Sequence, residues 1–394
     1  MYGTSVLTSE GDIVSTALEQ PSPQLKGRIQ LLDVLRGVAI LGTLGTNIWI
    51  FTNPGGIVAY IQEYGHKSGV QQFFTEVTNG KFLGMLTILF GVGLAIQHAS
   101  AQRRGQHWPG RYLWRATLLL LDGLLHYVLV IEFDVLMGYA VTAMIAAFIL
   151  IRSDRAIRLW MWITGSVHVL LIGLATVATS SGPTGAPDTG AVTLYTDGSW
   201  AEQVLFRLQY APLWRAEAVF IIPMSICLYL LGVRLYRAGA FGPGEQGMAI
   251  RRKLLAFGGA VGVPLTVIAA IFQLSLLDRY VFGPIVSLFY IGLIGVFLDR
   301  RGKLGPLTTR LATIGRMALS NYVLQNLLAS ILCYGWGFGL ATVIAGTSPW
   351  LTVLLWLVIS LMLLGFSSLW QRRFPQGPLE LAWKYLYELP FRRS

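Results

Sequence analysis

The chain has 394 residues, of which 54% are hydrophobic and 12% are charged, and its mean hydropathy is +0.59. Soluble domains carry about 25% charged residues, so this composition excludes an ordinary soluble protein, and the 12% of aromatic residues exclude a disordered chain. The net charge of +11 could indicate a nucleic-acid partner, but the basic residues lie between apolar runs, which argues against one. The remaining class is an all-α polytopic membrane protein.

Three regions follow one another along the chain. Residues 1–27 are polar, with no basic segment ahead of an apolar stretch, which predicts a disordered tail rather than a cleaved signal peptide. A transmembrane bundle is expected over 28–375, and a short interfacial helix with a basic tail, in contact with membrane lipids, over 376–394. A span needs roughly 20 apolar residues. About ten such runs occur, at 31–52, 79–98, 112–131, 134–152, 157–179, 214–236, 253–275, 280–299, 313–338 and 349–370.

The basic residues predict the orientation of this bundle. If the ten runs cross the membrane in turn, the loops on one side hold 22 lysines and arginines, whereas those on the other side hold 5. Because the cytoplasmic loops of membrane proteins carry the excess of positive charge, both termini are expected in the cytoplasm and the 180–213 loop outside.

Charged side chains just inside the cytoplasmic ends of the spans form the first group of candidates. Asp33 and Arg36 are three residues apart and share a helix face, so they are either an ion pair at the helix end or part of an anion site. Arg36, Arg115 and Arg316 lie just inside their spans, where the excess of positive charge in cytoplasmic loops explains them least. The cytoplasmic candidates are Arg28, Asp33, Arg36, Arg115 and Arg316.

A second group is expected in the outer half of the bundle. His126 lies four residues after Asp122 on the same helix face, and Asp134 follows at a short hairpin. A carboxylate can fix the tautomer of an imidazole and stabilise its cation, as a general base requires, and the spacing leaves open which aspartate does so. Asn47 is expected near the outer side on the first span, about 21 Å beyond Asp33 and about 16 Å beyond Arg36 along the helix, with a hydrogen bond between helices as the alternative reading.

The ninth run carries several uncharged polar side chains within two turns. Too many polar groups occur there for contact with lipid, so they are expected to line a wet cavity, although packing between helices is the alternative. These residues are Asn321, Tyr322, Gln325 and Asn326. No spacing of histidine, cysteine or acidic residues indicates a metal site, and the glycines of Gly91-Val92-Gly93 indicate helix packing rather than a phosphate loop.

Four stretches together resemble the YeiB family of bacterial inner-membrane proteins, and they span residues 28–390. The sequence departs from the family pattern at Phe133, where a glycine is expected, and Asp122 has no counterpart in the resemblance, so its candidacy depends on spacing alone. The stretches are 28–42 with Asn47 and Ile48; 123–126 with 134–136, Tyr139 and Ala140; 315–322; and 377–380 with Trp383.

The resemblance implies a function. The YeiB family looks like a branch of the transmembrane acyltransferase superfamily, which includes heparan-α-glucosaminide N-acetyltransferase and bacterial surface-glycan O-acetyltransferases. It implies a bundle of ten or eleven spans in which acetyl-CoA or another acyl-CoA enters from the cytoplasm and the acyl group passes to an outer acceptor. The phosphates of coenzyme A would dock on the cytoplasmic arginines, and Asn47, Asn321 and Gln325 could steady an oxyanion beside His126.

Three functions therefore remain open at this point. The first is acyl transfer to a cell-envelope glycan, a lipid or a small metabolite. The second is transport or export of a small molecule by intramembrane histidine, aspartate and asparagine, and the third is a scaffold without catalysis. A homodimer is left open, because no motif indicates an oligomeric state. A cavity joining the cytoplasmic arginines to His126 would favour the transferase.

Overall fold

The computed structural model describes residues 29–62, 69–180 and 193–391. Within these ranges the chain is helical and contains no strand, and seven helices are long and apolar enough to cross a membrane. The prediction of an all-α polytopic membrane protein is therefore confirmed. The polar tail at 1–27, Arg28 and the basic tail at 392–394 lie outside the described residues.

Most of the described connections between helices are a few residues long, and two of them are π-helical turns. The turns are Gly258–Gly262, between α11 and α12, and Asp278–Phe282, between α13 and α14. The helices are α1 Gln30–Phe51, α2 Gly56–Gln62, α3 Gly69–Thr78, α4 Lys81–Arg103, α5 Gly110–Leu129, α6 Leu136–Ile149, α7 Asp154–Ser180, α8 Trp200–Gln209, α9 Ala211–Arg215, α10 Ala218–Arg237, α11 Glu245–Phe257, α12 Val263–Ile271, α13 Ser275–Leu277, α14 Gly283–Arg301, α15 Pro306–Arg316, α16 Ala318–Cys333, α17 Leu340–Ile344, α18 Pro349–Trp370 and α19 Pro378–Glu388.

Each predicted span overlaps a helix, but the count of ten stays a prediction. Four of the seven long helices each run through two labelled segments: α3 and α4, α9 and α10, α11 and α12, and α13 and α14. The helices α6 and α16 are apolar but shorter than these seven. The predicted span at 313–338 is wrong as a continuous helix, because the chain leaves helical geometry at Met317 (φ −115°, ψ 39°). The break frees the first amides of α16, and the Glu380 carboxylate of α19 accepts hydrogen bonds from the N–H groups of Leu319 (2.9 Å) and Ser320 (3.3 Å).

Glycines let the central helices approach backbone to backbone. At the crossing of α1 and α15, a Cβ atom on Gly37 would lie 2.0 Å from the Leu311 carbonyl oxygen, and one on Gly315 would lie 1.8 Å from that of Asp33. Only glycine fits such a contact, as in other membrane helix pairs. The crossing brings Arg36 of α1 and Arg316 of α15 to the same end of the bundle, which we call the basic face; the opposite end is the distal face.

The glycines of α4 allow a matched test of this packing. A Cβ on Gly91 would lie 2.0 Å from the Tyr229 carbonyl oxygen of α10, whereas one on Gly93 would meet nothing within 4 Å. We expect Gly91→Ala to destabilise the fold by about 1–3 kcal/mol through overpacking, and Gly93→Ala to keep or raise stability by up to about 1 kcal/mol. Thermal denaturation of both variants in detergent checks this, and equal midpoints would contradict it.

Candidate functional site

A histidine–aspartate pair lies buried near the distal face. His126 is on the last turn of α5, and the hairpin that follows brings Asp134 back against it, with 2.8 Å between His126 Nδ1 and Asp134 Oδ1. Both side chains are 1% exposed or less, and the Met137 N–H donates to Asp134 Oδ2 at 3.2 Å. Because the carboxylate only accepts, Nδ1 carries the proton of the neutral ring and the lone pair is on Nε2.

Two asparagines continue this pair across the bundle. The Asn326 amide nitrogen lies 3.3 Å from His126 Nε2, and Asn47 Nδ2 donates to Asn326 Oδ1 at 3.4 Å. Asn326 also donates to the Tyr322 carbonyl oxygen at 3.0 Å, which fixes the amide against its own helix. A polar chain thus runs from Asp134 through His126 and Asn326 to Asn47, and it joins α5, α16 and α1.

Asp122 does not join this chain of contacts. It lies one turn before His126, but it makes no hydrogen bond in the described part of the protein, and its Oδ2 atom is buried without a partner. The geometry therefore indicates that Asp134, which the hairpin after α5 brings against His126, orients the imidazole.

Two arginines hold the hairpin that carries Asp134. The Arg215 guanidinium donates to the backbone oxygens of Glu132 and, at 3.2 Å, of Asp134, and it lies 4.2 Å from the centre of the Tyr127 ring. Arg207 pairs with the Glu132 carboxylate at 2.9 Å and donates to the Val128 carbonyl at 3.0 Å. Sequence reasoning missed both arginines. The sequence offered one indication of their role: both lie on the predicted outer side of the membrane, whose loops hold only 5 basic residues.

A cavity of about 290 Å³ opens between the basic face and this site. Arg36, Arg115 and Arg316 line it at one end, and Val135 and Tyr322 line it toward the buried pair. Most of its wall between these ends is apolar, which suits a chain-like ligand with an anionic head.

The three arginines differ in their partners. Arg316 donates to the Gln371 side chain at 2.8 Å and to Thr313 at 3.1 Å, and Arg36 lies 3.6 Å from the buried Asp33 carboxylate, which does not line the cavity. Arg115 makes no hydrogen bond or ion pair in the described ranges, and its guanidinium lies 6.0 Å from the centre of the Trp383 ring. Arg115 therefore has no carboxylate within ion-pair distance in the described chain, and the Glu380 carboxylate, which also lines the cavity, accepts from the first amides of α16.

Tyr322 separates the cavity from His126. Its ring lines the cavity and packs against the imidazole with 5.2 Å between ring centres, whereas His126 itself does not line the cavity. The arginines and the histidine are therefore separated by one aromatic side chain at the cavity's inner end.

The other polar residues of the ninth run do not line this cavity. Asn321 donates to the carbonyl oxygens of Ile314 and Met317 and to Ser367, at 2.9–3.2 Å, and so joins α15, α16 and α18. Gln325 is fully buried, and neither of its amide atoms has a partner in the described ranges. Of the four side chains expected in a cavity, only Tyr322 lines this one, while Asn326 contacts His126.

Comparison with known proteins gives relatives over nearly the full length. The model of a family of unknown function, DUF418, matches residues 235–389. YeiB of Escherichia coli (strain K12) is 27% identical over 391 residues, which covers 90% of this chain and 95% of YeiB. YxaH of Bacillus subtilis (strain 168) is 25% identical over 393 residues, covering 91% and 93%. Both relatives are described as uncharacterised, so the comparison shows that the proteins are related and does not indicate an activity.

Proposed function

This chain belongs to the YeiB family, and we propose that it is a membrane-embedded acyltransferase. It moves an acyl group, with acetyl as the expected case, from cytoplasmic acyl-CoA to an acceptor hydroxyl or amine on the outer side. The observation that supports this best is the cavity that begins at the unpartnered Arg115 and ends at Tyr322, against which His126 packs. We place the protein in the bacterial inner membrane with both termini and the basic face in the cytoplasm.

The basic face would hold the donor. Arg115 is free to bind a coenzyme A phosphate, and Arg36 and Arg316 add positive charge at the same mouth. The apolar part of the cavity would take the narrow pantetheine arm and its thioester, because about 290 Å³ is too small to hold the nucleotide as well. The thioester carbon then lies near Tyr322, and the nucleotide stays at the mouth.

The chemistry would take place once the Tyr322 ring moves aside. His126 Nε2 takes the proton of the acceptor hydroxyl or amine while its oxygen or nitrogen attacks the thioester carbonyl carbon. Asp134 stabilises the imidazolium. An amide N–H of Asn47 donates to the oxyanion, and so does the Asn326 N–H that Nε2 no longer accepts once it is protonated. The carbon–sulfur bond breaks, the new ester or amide remains on the acceptor, and the imidazolium returns its proton to the coenzyme A thiolate.

Equilibrium binding of acetyl-CoA to the purified full-length protein tests the donor site. We expect saturable binding that Arg115→Gln weakens about 10–100-fold, because a charge-assisted contact to phosphate contributes about 1.5–3 kcal/mol. Arg158→Gln, which removes an exposed arginine outside the cavity, should leave the Kd within about twofold. Absence of saturable binding by folded protein, or equal Kd values for the two variants, would contradict the proposal.

A further inference from the structure

The C-terminal helix α19 supplies part of the wall of the cavity at the basic face. Glu380 and Trp383 both line the cavity, although none of the α19 residues is itself buried. The centre of the Trp383 ring lies 6.0 Å from the Arg115 guanidinium, whereas Tyr385, two positions later, is 53% exposed. The indole therefore lies at the end of the cavity that carries the arginines. Contact with lipid alone does not explain this placement.

Contacts at both ends of α19 fix the position of this helix. At its first turn, the Glu380 carboxylate accepts from the Ser320 hydroxyl as well as from the first amides of α16. At its last turn, the Leu386 carbonyl oxygen accepts from Trp114 Nε1–H of α5 at 3.1 Å. Because α5 and α16 both line the cavity, these bonds hold α19 and its indole against the mouth.

Trp383 differs from the other aromatic side chains that line the cavity. Each of those four rings packs against a second ring, with 4.8–5.2 Å between centres. The four are Phe90, Tyr112, Tyr139 and Tyr322. Within the described ranges the Trp383 indole has no ring contact of this kind, and its N–H makes no hydrogen bond. The indole is therefore available to a planar ligand at the mouth.

We propose that Trp383 is the platform on which the adenine base of acyl-CoA stacks while Arg115 holds the neighbouring phosphates. A cavity of about 290 Å³ takes the pantetheine arm and not the nucleotide, so the nucleotide lies at the mouth, where the indole is. Aromatic side chains bind nucleobases by stacking, and a guanidinium beside the rings adds a favourable cation–π interaction. This inference rests on the proposed function for its ligand, and it adds a residue that recognises the nucleotide rather than the thioester.

The test compares two donors that differ only in the nucleotide. S-acetyl-4′-phosphopantetheine has the thioester arm and one phosphate of acetyl-CoA but no base, and the Kd of each is measured on the full-length protein. We expect Trp383→Leu to weaken acetyl-CoA binding about tenfold and to leave the Kd of S-acetyl-4′-phosphopantetheine within about twofold. Trp383→Phe, which keeps an aromatic ring, should bind acetyl-CoA within about threefold of the wild type.

Trp162→Leu is the matched control, because it removes an indole that is 76% exposed on α7 and does not line the cavity. It should change neither Kd by more than about twofold. A loss confined to acetyl-CoA supports the platform, since displacement of α19 would weaken both ligands.

The other outcomes separate this inference from the proposed function. Equal losses for the two ligands in Trp383→Leu, an unchanged acetyl-CoA Kd, or an equal loss in Trp162→Leu would overturn the platform. The donor site would still stand in each case if Arg115→Gln weakens acetyl-CoA binding as expected. Failure of folded wild-type protein to bind either ligand would reject both the platform and the transferase.

Discussion

Replacing His126 by alanine is expected to reduce acetyl transfer about a thousandfold, with acetyl-CoA binding unchanged within about twofold. A positioned general base contributes about 10²–10⁴-fold to a reaction of this kind, and His126 is the imidazole that packs against Tyr322 at the inner end of the cavity. Binding is expected to persist because the Tyr322 ring separates His126 from the cavity that would hold the donor. Steady-state rates check the predicted loss of transfer, and equilibrium binding checks that the acetyl-CoA Kd is unchanged; both are measured on folded protein.

His168 supplies the matched control for this experiment. It is buried in the same half of the bundle, but its two ring nitrogens contact the carbonyl oxygens of Phe220 (2.9 Å) and Tyr280 (2.8 Å), away from the polar chain around His126. We expect His168→Gln to keep transfer per folded molecule within about threefold, whatever its effect on stability. Equal losses in the two variants would contradict a specific role for His126, as would full activity of His126→Ala.

Asp134→Asn should be the second most damaging change, with a loss of transfer of about 10²–10⁴-fold. An amide in place of the carboxylate can donate to Nδ1, which moves the ring proton to Nε2 and removes the lone pair that accepts the acceptor's proton. The acetyl-CoA Kd should not change, because Asp134 lies outside the cavity.

Asp122→Asn is the matched control for this substitution, because it makes the same chemical change one helical turn from His126. No hydrogen bond of Asp122 is lost, so transfer should remain within about threefold of the wild type. A larger loss from Asp122→Asn than from Asp134→Asn, measured side by side, would show that the wrong aspartate has been assigned to the histidine.

Asp122 and Asp134 show how much of the candidate site can be predicted from the sequence. Hydropathy predicts the helices, because each span needs a long apolar run, and the polar residues inside those runs include His126 and Asp134. Helical spacing predicts contacts only within one helix, so it offers Asp122 as a partner of His126 and leaves open whether Asp122 or Asp134 orients the ring. The bond to Asp134 depends on the path of the hairpin, which Arg207 and Arg215 fix from a distant segment of the chain.

The remaining differences have the same physical origin. The continuous helix expected at 313–338 would place Asn321 in a cavity, but the break at Met317 turns its amide toward the carbonyls that end α15. Likewise, the sequence cannot rank the arginines at the basic face. Arg316 is occupied by Gln371, which is 55 positions away, so only the packed structure shows that Arg115 is available.

The measurement that tests the central claim most directly is transfer across a sealed membrane. Proteoliposomes containing the full-length protein would hold radiolabelled glucosamine inside, with acetyl-CoA, which does not cross the bilayer, added only outside. We expect acetylated glucosamine to accumulate inside the vesicles with wild-type protein, and none with His126→Ala. Escape of unmodified glucosamine from the vesicles would instead indicate a transporter. No product and no escape, in folded protein that binds both ligands, would contradict transfer through the bundle.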